Sequence, residues 1–107
     1  MAWLVRDGEV LASVELADGR AARRRGLLGR SDFDGVLRIK ARSVHTIGMR
    51  FDIDVAVCDP DGTVRRVLTM APWRVSRPEL RPTIVFEARA GTLREWNLRP
   101  GDSLEVR

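Results

Sequence analysis

A chain of 107 residues that is 44% hydrophobic and 32% charged can bury one modest core, and it is too polar for a membrane protein and too apolar for a disordered one. Its formal charge is only +4, and Lys40 is the only lysine among 19 basic residues, so the basicity is an arginine bias spread along the chain rather than a nucleic-acid recognition motif. A lone cysteine excludes an internal disulfide, no run approaches the ~18 apolar residues of a membrane span, and no export signal precedes Arg6, so a cytoplasmic protein is expected.

The first element is a hairpin. Asp7-Gly8 between two apolar runs is the turn whose backbone matches strand twist, so Trp3–Val5 should pair with Val10–Ala17. Val10, Ala12, Val14 and Leu16 then share a face. Asp18 is a suitable cap for a short helix from Gly19 to Leu28, stopped near Gly29 and carrying Arg20, Arg23, Arg24 and Arg25. A turn at Asp34-Gly35 leads into a strand over Val36–Lys40. From Met49 to Cys58 apolar residues alternate with Arg50, Asp52, Asp54, Ala56 and Cys58, the pattern of a strand with one buried face. Gly48 is the natural bend at its start.

Asp59-Pro60-Asp61-Gly62 turns the chain into a strand over Thr63–Met70. Three prolines between Ala71 and Pro82 exclude helix and central strand there, and Thr83–Ala88 resumes as a strand. Thr92 with Glu95 three residues on has the form of a capping box for a short helix over Leu93–Asn97. Pro100-Gly101-Asp102 turns into a last strand, Ser103–Arg107. The expected fold is α+β and mostly β: a single domain over residues 1–107, β-barrel-like or a strongly bent sheet, with two short helices.

Three blocks in order carry a family resemblance: Arg23-Arg-Arg-Gly26-Leu27-Leu28-Gly29-Arg30, then His45-Thr-Ile-Gly48-Met49-Arg50-Phe51-Asp52-Ile53-Asp54-Val55, then Glu87-Ala-Arg-Ala-Gly91 with Leu98-Arg-Pro-Gly101-Asp102. Together they resemble the small prokaryotic family known as domain of unknown function 192, over roughly residues 14–107. The middle block departs from the commonest version, which has an aromatic where Gly48 stands and a proline near Asp52. The resemblance implies a β-rich domain and carries over no activity. Separately, Leu98–Val106 looks like the Gly-Asp turn of small cradle-loop and double-psi barrels, in which glycine permits a positive φ and aspartate bonds the turn amides.

The residues capable of chemistry form no complete set. Cys58 stands thirteen positions from His45 on an extended segment and follows Val55, Ala56 and Val57, so inert packing is expected. Asp59-Pro-Asp61-Gly lacks the later ligands of a calcium loop, whose fifth, sixth and twelfth positions fall on Thr63, Val64 and Met70. No metal site and no cofactor are expected.

Asp52 and Asp54 lie where the strand face changes from charged to apolar, a place where burial can tune a carboxylate. The structural alternative has Asp52 in solvent and Asp54 paired with an arginine of a neighbouring strand. The Pro72–Pro82 loop offers a flat Trp73 face beside the forked donors Arg74, Arg77 and Arg81. Trp73 either forms a binding lip there or folds down over one end of the barrel.

The leading expectation is a non-enzymatic binding or accessory module that uses the arginine-rich helix and the Trp73 loop, with Trp73, Arg74, Arg77 and Arg50, to hold an anionic small molecule or an acidic protein surface. Its rivals are a hydrolase or lyase using Asp52 or Asp54 with His45 and Arg50, and a weak nucleic-acid binder.

Overall fold

The computed structural model describes residues 2–17 and 35–107. The expected hairpin forms between β1 (Ala2–Arg6) and β2 (Glu9–Ala17), joined at Asp7-Gly8. After β2 come β3 (Val36–Lys40), β4 (Ile53–Cys58), β5 (Val64–Met70), β6 (Ile84–Arg89), one helical turn α1 (Thr92–Glu95), and β7 (Glu105–Val106). The arginine-rich helix expected over Gly19–Leu28 lies outside the described residues. No described helix is long and apolar enough to cross a membrane.

All the described strands belong to one sheet in the order β5-β4-β6-β3-β2-β1-β7. Every pair is antiparallel except β2 with β3. The sheet curls until its two edges meet the same short segment. Gly101 N–H donates to the Val64 carbonyl (2.8 Å), Val64 N–H to Asp102 (2.8 Å) and Leu104 N–H to Gly62 (2.9 Å), while Trp3 and Arg107 exchange backbone bonds of 2.8 and 2.9 Å. Residues 101–107 therefore tie the start of β5 to β1. The result is the mostly-β, strongly bent half-barrel expected from the sequence.

Strand parity sorts the core into two layers. Leu4, Val14, Val36, Ala56, Cys58, Val64, Ile84, Phe86 and Ala88 form the inner layer with Leu93 of α1, Leu98 and Leu104. Leu37, Ile39, Ile53, Val55, Val57, Met70 and Val85 form the outer layer, covered by Val44 and Met49. The segment at Met49–Cys58 thus differs from expectation in two ways. Only Ile53–Cys58 is strand, and all six of its residues are buried. The outer face of β4 is covered by Val44 and Met49 and its inner face by the inner layer, so the side that alternation assigned to solvent is the barrel interior.

The helix cap also differs. Thr92 and Glu95 form no capping box; Gly91, in the left-handed region at φ 95°, is the N-cap, and no side chain of its own turn caps α1. The cap comes from Asp54 on β4. Its Oδ2 accepts from Gly91 N–H (2.9 Å) and Leu93 N–H (3.1 Å), and its Oδ1 from the Thr69 hydroxyl (2.7 Å).

Candidate functional site

Two irregular segments, 41–52 and 71–83, pair with each other along the outer side of the sheet. Glu79 N–H donates to Arg42 (2.7 Å) and Ser76 N–H to Val44 (2.8 Å), and His45 and Val75 form an antiparallel bridge. The Ser76 hydroxyl accepts from Val44 N–H (2.9 Å), and the Thr83 hydroxyl donates to the Ala41 carbonyl.

Thr46 pins the tip of this pair. It is completely buried. Its hydroxyl donates to the Ala71 carbonyl (2.6 Å) and accepts from Arg74 N–H (2.9 Å). Its carbonyl accepts from Trp73 N–H (2.9 Å) and Met49 N–H (3.1 Å), the second closing the turn at Gly48. Four bonds from this one residue to residues 71–74, counting Thr46 N–H to the Arg74 carbonyl (2.8 Å), fix a loop whose own sequence has no regular structure. The only signal for it in the sequence is a small hydroxyl residue between His45 and Ile47.

This pinning decides between the two placements of Trp73. The residue sits at φ 62° and turns outward, 65% exposed, so it does not cover an end of the barrel. A non-glycine residue in this region is held there by its surroundings, here by its bond to Thr46. Val75 is 65% exposed, Leu80 95% and Ile47 46% on the same paired segments. Arg74 is exposed, with Nη1 donating to the Trp73 carbonyl (3.3 Å). Arg77 and Arg81 flank Leu80 in a shallow groove of about 410 Å³ that Arg65 and Glu79 also line. Glu79 is engaged with Arg66 (3.2 Å) and Arg65 with Asp59 (3.1 Å). Among the described residues, Arg42, Arg50, Arg77 and Arg81 have no acidic partner. The lip is therefore apolar at several points and positively charged around them.

The candidate acid–base residues are dispersed. Arg50 and Asp52 are exposed at the end of the first segment. Asp54 is 4% exposed on the inner side of β4 and spends both oxygens on Thr69 and the α1 turn; no arginine among the described residues pairs with it. It lines a groove of about 630 Å³ with Thr69, Arg94 and Asn97. His45 is half-buried between Val44 and Met49, both of which pack on the opposite, outer layer. Among the described residues no cluster of three or more His, Cys, Asp or Glu could hold a metal ion. The Asp59–Gly62 carboxylates serve their own turn: Asp61 accepts from Thr63 N–H (2.9 Å) and Asp59 from Arg65.

Cys58 is fully buried in the inner layer, and burial, followed by the nearby Asp59 and Asp61 charges, pushes its thiol up to about 12. The folded chain should resist iodoacetamide at neutral pH and react at an ordinary thiol rate once denatured; prompt labelling of folded protein would show that the site is open. Because folding raises this pKa from 9.0, its stabilisation is complete below about pH 9 and is lost as pH rises towards 12.

The family model of domain of unknown function 192, described as "Uncharacterized ACR", matches residues 2–106. A crystal structure of a protein from Sinorhizobium meliloti, described as a "putative transcription regulator", is 27% identical and superposes with a TM-score of 0.77 over 98% of this chain and 91% of that one. A protein of unknown function from Novosphingobium aromaticivorans is 18% identical, with a TM-score of 0.79 over 97% and 82% of the two chains. No curated protein matches the chain.

Proposed function

The chain belongs to the domain of unknown function 192 family, whose description assigns no activity, and we propose on the strength of its site that it is a non-enzymatic binding module for an acidic protein surface, presented with the lip of residues 41–52 and 71–83. The observation that carries this reading is Trp73 held outward on a loop that Thr46 bonds into place. An exposed aromatic fixed in advance loses little entropy on binding. Trp73 and Val75 stand proud of the surface beside the shallow groove at Leu80, which suits a macromolecule better than a small molecule, whose site is normally an enclosed concavity. The unpaired arginines around them select a partner bearing carboxylates. A reducing, cytoplasmic setting accords with a single buried thiol.

The test uses a synthetic peptide alternating glutamate with leucine and phenylalanine. Trp73→Ala combined with Arg74→Ala should leave the unfolding transition unchanged, because both side chains are exposed, and weaken peptide binding by about thirtyfold, the loss typical of a central tryptophan. Equal binding by variant and parent would overturn the reading.

A second reading, nucleic-acid binding, draws on the description of the S. meliloti protein and on the ability of Trp73 to stack on a base. It predicts that a short oligothymidine binds in a Trp73-dependent manner with a steep salt dependence. The exposed aliphatic side chains of Val75 and Leu80 favour the protein partner.

A further inference from the structure

We propose a second binding site in the mouth of the half-barrel, for a small monocarboxylate with an apolar body, whose carboxylate is held by Arg38 and whose body lies against Ile84, Phe86 and Leu104. The register makes Arg38 the partner of Phe86 and Lys40 the partner of Ile84, so Arg38 shares its face with Val36 and Phe86 of the inner layer. A charged residue at an inward position is unusual, since desolvating a guanidinium without a partner is unfavourable. Arg38 is half-buried, yet among the described residues no hydrogen-bond or ion-pair partner reaches its guanidinium. It lines a concavity of about 430 Å³ with the three apolar side chains, Val106 and the Ser103 hydroxyl. That volume falls within the range of small-molecule sites, and Ile84, Phe86 and Leu104, at 8%, 3% and 4% exposed, present only their edges to it.

The chemistry of the rim narrows the ligand. A guanidinium fork matches the two oxygens of a planar carboxylate. Glu105 lines the mouth but engages Arg107 through bonds of 3.0 and 3.3 Å. Asp61 also lines it and keeps its charge, because Thr63 N–H donates to it. An anion carrying two charges meets this carboxylate with only the half-buried Arg38 in its favour, whereas a monoanion with an apolar body uses both the fork and the walls. The site is separate from the Trp73 lip, so it stands whether or not the lip binds protein.

The experiment is an amide and arginine side-chain NMR titration of the whole chain with octanoate, octanamide and inorganic phosphate. Octanoate should move the resonances of Gly62, Ile84, Phe86, Leu104 and the Arg38 side chain. Octanamide and phosphate should each bind at least about tenfold more weakly, and Arg38→Gln should lose octanoate affinity by about tenfold or more, the usual loss of a charge-assisted bond, with Arg38→Lys in between. Equal binding of octanoate and octanamide, unchanged affinity in Arg38→Gln, phosphate binding as tight as octanoate, or shifts confined to residues 71–83 would each overturn the proposal, as would the absence of any shift at millimolar octanoate.

Discussion

Replacing Asp54 with alanine is expected to lower stability by about 2–3 kcal/mol, measured by urea unfolding. The carboxylate is 4% exposed and accepts from three donors, the Thr69 hydroxyl and the Gly91 and Leu93 amides. Its removal strands the buried Leu93 amide, while the exposed Thr69 hydroxyl and Gly91 amide can turn to water. A helix of four residues is also far too short to be stable alone, so α1 depends on its cap and on the packing of Leu93. Asp54→Asn keeps the size and one accepting oxygen and should cost about half as much. Thr69→Val, which removes a single bond, should cost about 1 kcal/mol. A fully stable Asp54→Ala would mean that the carboxylate is spare, and it would revive Asp54 as a residue free for chemistry.

Gly62→Ala is expected to cost about 3 kcal/mol or more, against about 1 kcal/mol for Gly8→Ala. Both glycines have positive φ, 96° and 80°. They differ in what a methyl group would meet. At Gly8 there is open space, whereas at Gly62 the added carbon runs into the Leu104 carbonyl. The Gly62–Leu104 contact is part of the seam that joins β5 to the segment before β7, where Leu104 N–H donates to the Gly62 carbonyl (2.9 Å). Alanine at position 62 must therefore push the seam apart, while alanine at position 8 bears only the backbone penalty. Equal unfolding midpoints for the two variants would contradict this account of barrel closure.

Elements written by local chemistry were legible in the sequence. Asp7-Gly8, Asp59–Gly62 and the three prolines of 71–82 place turns and breaks from short-range sterics alone, and the strands between them follow. What depended on distant partners was not. The Thr92–Glu95 pattern resembles a capping box, but a carboxylate 38 positions upstream of Thr92 occupies the cap because β4 carries it there. Alternation at Met49–Cys58 indicates one buried face, and only the curl of the sheet over an inner layer, with Val44 and Met49 packed outside it, reveals why both are buried.

The candidate site shows the same division. Trp73 and its arginines were visible as residue types on a stiff loop, but the outward turn of Trp73 depends on Thr46, which is distant in sequence and chemically inconspicuous. In the sequence Arg38 is one charge among many. Its inward parity acquires meaning once β3 is known to pair with β6.

Amide chemical-shift mapping with the alternating glutamate–leucine–phenylalanine peptide tests most directly the proposed docking of an acidic partner on the lip built on Thr46 and Trp73. The expected result is a contiguous set of shifts at Ile47, Trp73 including its indole N–H, Val75, Arg77 and Leu80, which weakens as salt is added. Shifts centred instead on the groove beside Asp54, or none at millimolar peptide, would contradict it.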